Sequence, residues 1–171
     1  MTRPLRVLAA SLAVAGVAAG VIGFVVHARS SSDSEAAPFT LGPASAAAPP
    51  FATFYETRVE LDHRCRRVLL ANTPRQRVQG LRAVTDLGRY GGMLFAFAAD
   101  VESRFTMAQT PMPLDIVWYD AQGRPVDRTT MRPCPNGTDA SCPAYASKAR
   151  YRYALETRAG ESAAGSLGSC S

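Results

Sequence analysis

Lysine is almost missing from this sequence, because Lys148 is the only one among 19 basic residues. The formal net charge of +5 therefore comes from arginine. A GC-rich coding sequence produces such a bias without selection for any partner, and this is the simpler explanation. The alternative is contact with anionic lipid or an anionic wall polymer, which salt would weaken. The arginines available for that contact are Arg64, Arg66, Arg67, Arg75, Arg77, Arg82 and Arg89.

Histidine is also scarce, with only His27 and His63, and the sequence has neither a CxxC pair nor a G-x-S-x-G motif. These absences exclude the usual zinc sites and give little basis for a Ser-His or Cys-His nucleophile. We therefore expect no metal and no cofactor.

The four cysteines form an even set, which predicts disulfides if the domain lies in an oxidising compartment. Cys134 and Cys142 flank a loop with an Asn-Gly pair, and a tight reversal there would bring the two thiols together. We expect this bridge. A second bridge, between Cys65 and Cys170, then follows by elimination.

A long apolar run extends over residues 5–26 and is interrupted by one charge, Arg6. Roughly twenty apolar residues suffice to cross a bilayer as a helix. Basic residues precede the run, which favours a cytoplasmic N-terminus and an external C-terminus. We assign residues 1–29 to a signal-anchor or transmembrane segment, with a cleavable signal peptide as the alternative. The expected location is the cell membrane with the C-terminal domain outside the cytoplasm, or secretion after cleavage, and nucleic acid is not an expected partner.

Residues 30–52 are rich in Ser, Ala and Pro and hold few bulky apolar side chains. Such a segment cannot bury enough surface to offset the entropy of ordering it. We therefore predict a disordered linker over 30–52 and a folded β domain over 53–171.

Short alternating segments separated by turn residues dominate this domain. We expect strands at 57–61, 66–71, 93–97, 104–107, 114–119, 124–131 and 151–157. The first two form one hairpin, and the fifth and sixth form another. Asn72-Thr73-Pro74 combines a capping side chain with a proline suited to a first turn, which predicts one short helix over 75–81. The fold class is mainly β, a small β-sandwich, jelly roll or partly closed barrel with one short helix.

Several short motifs in the second half of the chain occur in a recognisable order. They are Gly92-Met93-Leu94-Phe95, then Phe105-Thr106-Met107 leading into Pro113-Leu114-Asp115-Ile116, then Met131-Arg132-Pro133-Cys134, and a tail with Tyr145, Ser147, Leu155, Glu156 and Gly160. This order resembles the DUF192 (UPF0127) family over about residues 57–168. The resemblance implies a compact mainly β domain, commonly secreted or membrane-tethered, and it implies no established reaction.

Five residues are candidates for a functional site. Phe105, Met107 and Thr110 are what this chain keeps of the family's FWMKNT segment, in which Trp, Lys and Asn are replaced here. Asp115 is the only acid in a strongly apolar strand, where burial would shift its pKa, and it is the catalytic candidate. A structural aspartate that accepts backbone N–H bonds explains it as well. Tyr145 lies near further tyrosines and arginines that could form a face for a glycan or polymer.

No complete catalytic constellation is visible in these residues. The leading hypothesis is an envelope-tethered, non-enzymatic binding or accessory module. The alternative is a small cell-envelope hydrolase or modifying enzyme that uses Asp115 as its acid or base. The residues indicate no particular protein partner.

Overall fold

The computed structural model describes residues 37–161 and 165–170, and these form a mainly β domain with one short helix. The helix is α1 (Pro74–Gln79). The strands are β1 (Ser45–Ala46), β2 (Tyr55–Leu61), β3 (Arg64–Ala71), β4 (Met93–Val101), β5 (Phe105–Thr106), β6 (Leu114–Tyr119), β7 (Pro125–Met131), β8 (Ala144–Tyr145), β9 (Tyr151–Arg158) and β10 (Gly168–Ser169). The predicted mainly β class with one short helix is confirmed.

Eight of the described strands form one mixed sheet, and β5 pairs with β8 in a second, two-stranded sheet. The order in the large sheet is β1-β2-β3-β4-β9-β6-β7, and β10 also pairs with β2. β3 and β4 run parallel, with α1 between them in the chain, and the other neighbours are antiparallel. Over the described ranges no pairing joins β7 to the opposite edge, so this sheet is not a closed barrel.

Both predicted hairpins are present. β2 pairs with β3 across a turn at Asp62 and His63, and β6 pairs with β7. In the second turn, the Asp120 carboxylate accepts hydrogen bonds from the backbone N–H groups of Gln122 and Arg124, each at 2.9 Å. The short polar side chain therefore fixes the turn, as the sequence indicates.

α1 begins where the sequence predicts. The Thr73 hydroxyl accepts from the backbone N–H of Gln76 (3.3 Å), and the Gln76 side chain accepts from the N–H of Thr73 (3.2 Å), which completes a capping box. Pro74 occupies the first turn, where its missing N–H has no intrahelical partner. The helix ends two residues earlier than predicted, because Gly80 adopts a φ of 49°.

The large sheet is buried on both faces. One face carries the larger apolar cluster, with Phe95, Ile116 and Trp118 among its members. The opposite face carries a smaller cluster that includes Leu94 and Leu155. Because Leu94 and Phe95 are neighbours on β4 and belong to different clusters, β4 is a central strand buried on both faces, as predicted.

The polypeptide that precedes β2 is part of the fold. Phe39 and Phe51 are buried, and β1 pairs with β2. The backbone N–H of Phe39 donates to the carbonyl of Ala121 at 2.8 Å. The structure thus differs from the linker expected over residues 30–52, since residues 37–52 contact the domain. Phe39 and Phe51 supply buried apolar surface, although the segment as a whole is rich in Ser, Ala and Pro.

The predicted signal-anchor over residues 1–29, and the first part of the expected linker, lie outside the described residues. Within 37–161 and 165–170, the structure contains no helix with the length and apolar character needed to cross a bilayer.

Residues Glu35–Ser171 form one compact unit. Both apolar clusters and both disulfides lie within it. The disulfides join Cys65 to Cys170 and Cys134 to Cys142, the two pairs expected from the sequence. The first fastens the chain after β10 to the β2–β3 hairpin, and the second closes the loop that follows β7. The unit therefore contains its own core and its own crosslinks.

Candidate ligand-binding site

An open cavity of about 580 Å³ lies between the end of α1 and strands β4 and β5. Phe95, Phe97 and Val101 line its β4 side, and Phe105 lines its β5 side. The volume falls within the range of small-molecule sites, which are typically apolar clefts with a few placed polar groups. This cavity is the candidate functional site.

The second half of α1 forms one wall. The guanidinium of Arg77 lies 4.8 Å from the centroid of the Phe97 ring and donates to the carbonyl oxygens of Asn72 (2.8 Å) and Ala96 (3.1 Å). Cation–π and hydrogen-bond contacts together hold this charge at the mouth of the cavity. Val78, on the same wall, is 73% exposed, which is unusual for a large aliphatic side chain.

The aromatic wall is fixed by edge-to-face packing. The rings of Phe95 and Phe105 have centroids 5.0 Å apart and planes at 87°. Phe105 also lies 6.2 Å from the buried ring of Trp118. Such geometry favours defined ring positions over loose filling, so the apolar wall is preformed.

The carboxyl group of Glu156 lines this apolar cavity from the central strand β9. Its Cα neighbours in the sheet are Met93 on β4 and Ile116 on β6, and the residue is only 4% exposed. Burial raises the pKa of the Glu156 carboxyl to about 8, since the charged form is poorly solvated there. The group is therefore largely protonated at neutral pH.

Within residues 37–161 and 165–170, no hydrogen bond or ion pair engages the Glu156 carboxyl. Most buried polar side chains in native proteins have a partner, so an exception needs a physical explanation. A protonated carboxyl offers one O–H donor and an acceptor oxygen. Both of these sites are available to a molecule in the cavity.

Gly92 sets the backbone position of Glu156. A Cβ atom at residue 92 would collide with the carbonyl oxygen of Glu156 and would come 3.1 Å from the Cγ2 atom of Thr157. The glycine before β4 therefore permits β4 and β9 to approach closely at the point where the carboxyl enters the cavity.

The disulfide loop supplies one acid to the mouth of the cavity. The Oδ1 atom of Asp139 accepts from the Thr106 hydroxyl and from Nη2 of Arg82, each at 2.6 Å. These two hydrogen bonds hold the pKa of the Asp139 carboxyl below its usual value, and the bond from Thr106 has the larger effect. Gly137 makes room for the crosslink, because a Cβ there would collide with the sulfur atoms of Cys134 and Cys142.

The structure brings two of the five residues selected from the sequence to this cavity, Phe105 and Thr110. Met107 is buried in the larger core cluster. Tyr145 pairs with Phe105 in the small sheet, and its hydroxyl accepts from the backbone N–H of Arg132 at 3.0 Å.

Asp115 lies outside the cavity lining. It is 8% exposed on β6, and its carboxylate accepts from the Thr130 hydroxyl (2.6 Å) and from the backbone N–H of Gly160 (2.8 Å). These bonds tie β6 to β7 and to the turn after β9. Such contacts are those expected of an aspartate with a structural role, which is the alternative to catalysis that the sequence offers for Asp115.

Sequence reasoning missed the polar part of the site. The sequence presents Glu156 only as part of the family tail, and alternation along β9 groups it with Arg152 on the less apolar face. The sequence places Arg77 and Arg82 in an arginine cluster and gives no reason to select Arg104. No local signal identifies Glu156, because its apolar neighbours Met93 and Ile116 lie on β4 and β6 and are known only from the sheet pairing.

No group of three His, Cys, Asp or Glu side chains suited to a metal ion occurs in the part of the chain that the structure describes.

Fold and site together define a small mainly β domain with an open cavity, lined by a glutamate whose carboxyl has no partner among the described residues. The chain belongs to the DUF192 family, described as uncharacterized ACR, whose model matches residues 57–169. This confirms the resemblance seen in the sequence motifs. No curated protein matches the chain.

Two solved structures have similar folds. One is a protein of unknown function from Novosphingobium aromaticivorans, 20% identical, with a TM-score of 0.56 over 70% of this chain and 83% of that one. The other is described as a candidate transcription regulator from Sinorhizobium meliloti, 26% identical, with a TM-score of 0.53 over 74% of this chain and 96% of that one. The first similarity shows the fold alone.

Proposed function

We propose that this domain is a non-enzymatic binding module whose ligand occupies the cavity between α1, β4 and β5. One observation carries the proposal: Glu156 is only 4% exposed and lines the cavity, and its carboxyl has no partner among the described residues. A buried polar group without a partner lowers stability unless something else satisfies it. A bound molecule with a hydrogen-bonding group would do so.

The remaining lining supports binding rather than chemistry. Asp139 is already engaged by Thr106 and Arg82, so it is a poor proton acceptor. All cysteines of the described residues are in disulfides, and none is a free thiol nucleophile. Aromatic walls with few polar groups are typical of recognition sites.

The proposal includes a location outside the cytoplasm, tethered to the membrane or secreted. The apolar run over residues 5–26 and the two disulfides support it. Non-reducing peptide mapping of protein from intact cells should recover Cys134 joined to Cys142. Free thiols at both positions would count against the location.

A thermal-shift screen of the full chain and of Glu35–Ser171 tests the binding function. Saturation at 100 times Kd stabilises the folded state by about 2.7 kcal/mol, which raises the melting temperature by several degrees. The panel covers small acids, amines, glycans, lipids and metal ions. Val101→Trp, which fills the cavity, should remove the shift, and Thr129→Trp, on the exposed part of β7, should keep it. A shift that survives Val101→Trp would place the ligand elsewhere.

The alternative function, a cell-envelope hydrolase or modifying enzyme with Asp115 as acid or base, has less support. The Asp115 carboxylate accepts hydrogen bonds from Thr130 and Gly160 that join structural elements, and the residue does not line the cavity. Asp115→Asn should lower the free energy of unfolding by about 1–2 kcal/mol and leave ligand shifts intact. Turnover of an envelope substrate that Asp115→Asn abolishes in a correctly folded protein would establish the enzyme instead.

We do not propose transcription regulation, the role named for the Sinorhizobium protein, as the function of this chain. Several exposed arginines are already neutralised by acids, as in the pairs Arg67–Glu56 (3.0 Å) and Arg150–Glu102 (3.2 Å). Phosphate contacts require such arginines to be available.

A further inference from the structure

The cavity has polar groups at two separate points along β4. Glu156 lies beside Met93, and the guanidinium of Arg77 lies over Phe97. Met93 and Phe97 are four residues apart, which is about 13 Å at the rise of an extended strand. A molecule that reaches both points must therefore be elongated.

The charge at the mouth is positive. Arg77, Arg82 and Arg104 line it, and Asp139 is the acid that faces them. Asp139 pairs with Arg82 at 2.6 Å. Among residues 37–161 and 165–170, neither Arg77 nor Arg104 has a carboxylate partner. Two arginines thus remain to receive an anion, and guanidinium groups suit carboxylate, sulfonate and phosphate oxygens.

The space between the two polar points is apolar. Phe95 and Phe105 stand edge to face at its centre, and Val78 extends the apolar surface to the rim although solvent reaches it. A charged or strongly hydrated body would lose its water here without replacement. An aromatic or aliphatic body fits this surface.

We propose that the cavity selects an anionic amphiphile, with its acid group on Arg77 and Arg104, its apolar body against Phe95 and Phe105, and an oxygen acceptor hydrogen-bonded by Glu156. This inference rests on the proposed binding function and names the class of ligand. The order of groups along the ligand follows their order along β4.

Two matched fluorescent probes test the ligand class. 8-Anilinonaphthalene-1-sulfonate carries an aromatic body and an anionic head, and N-phenyl-1-naphthylamine has the same body without the sulfonate. Binding is titrated with the full chain and with Glu35–Ser171, after near-UV circular dichroism and cooperative urea unfolding have shown the fold intact. The anionic probe should bind at least tenfold more tightly than the neutral one.

Arginine variants locate the head group. Arg104→Gln and Arg77→Gln should each weaken the sulfonate probe about tenfold, the loss expected for one charge-assisted hydrogen bond, and should leave the neutral probe unchanged. Arg104 is exposed, so its substitution does not threaten folding. Arg124→Gln, whose arginine pairs with Asp120 in the β6–β7 turn, is the matched control and should bind both probes normally.

The outcomes separate this inference from the proposed function. Equal affinity for the two probes, or a sulfonate affinity that neither Arg77→Gln nor Arg104→Gln changes, overturns the anionic class while the binding module stands. If Val101→Trp does not weaken the sulfonate probe, its site lies elsewhere and the inference falls. Failure of both probes to bind overturns the inference and counts against the binding module too.

Discussion

Replacing the buried carboxyl, Glu156→Gln, should change how stability depends on pH. The pKa of this group is about 8 in the folded protein and near 4.5 in an unfolded chain. Between these values the folded state keeps a proton that the unfolded state has lost. The contribution of this group to the free energy of unfolding is therefore fully present below pH 4.5. It falls by about 1.4 kcal/mol per pH unit as pH rises, and it levels off above pH 8.

Glutamine removes this dependence because it is neutral at every pH and has nearly the same shape as a protonated glutamate. At pH 5 the wild type and Glu156→Gln should have similar free energies of unfolding. At pH 8 the variant should be more stable by about 4 kcal/mol. The hydrogen bonds of Glu56, Asp86 and Asp139 lower the pKa of each carboxyl, so these groups titrate below this window.

The assay is urea unfolding between pH 5 and pH 9, followed by the fluorescence of Trp118, the single tryptophan, which is buried. Glu102→Gln is the matched control, because the Glu102 side chain is 71% exposed. The stability of this variant should change with pH in parallel with that of the wild type. If the curve of Glu156→Gln also runs parallel to the wild type, the carboxyl is ionised inside the fold. Its role as a hydrogen-bond donor to a ligand would then be refuted.

Two stability predictions concern other contacts. Gly92→Ala should lower the free energy of unfolding by about 3 kcal/mol in the urea assay, since the new Cβ collides with the Glu156 carbonyl oxygen. Gly91→Ala is the control. Its Cβ would make only ordinary contacts, so it should lower the free energy of unfolding by under about 1 kcal/mol. Tyr90→Phe removes the 2.5 Å bond from the tyrosine hydroxyl to the Glu56 carboxylate, and should cost about 1–2 kcal/mol at pH 7. That bond is the largest cause of the lowered pKa of Glu56. The difference in free energy of unfolding between wild type and Tyr90→Phe should therefore shrink as pH falls below about 4. An unchanged difference would contradict the role given to this bond.

Much of the fold could be predicted because its signals are local. The capping box at Thr73 and Gln76, the aspartate turn at Asp120 and the double-faced apolar strand β4 each follow from a few neighbouring residues. Beyond the two hairpins, strand partners could not be predicted, since alternation shows which face is buried and not which strand lies alongside. The sequence did not predict that residues 37–52 join the fold, because Phe39 and Phe51 pack on Tyr153 and Tyr90, which are distant in sequence.

The candidate site was harder to predict for a related reason. Its cavity forms only when α1, β4 and β5 come together, and Arg77, Arg82 and Arg104 are separated by up to 27 positions before folding. Phe105 was found because the family motif includes it. Asp115 stands out as an acid in an apolar strand, whereas β9 also carries Arg152 and Arg158, and the apolar neighbours of Glu156 lie on other strands.

The position of Glu156 in the sheet is the strongest reason to expect a ligand. An apolar side chain between Met93 and Ile116 would fill the same face without any desolvation of a carboxyl. The fold instead carries a group that weakens it progressively as pH rises from 4.5 to 8. A carboxyl that only stabilised the domain would have hydrogen-bond partners, as those of Asp115 and Glu56 do. Glu156 lines a cavity whose mouth also carries Arg77, Arg82 and Arg104, and this arrangement supports the proposal that its carboxyl serves a bound ligand.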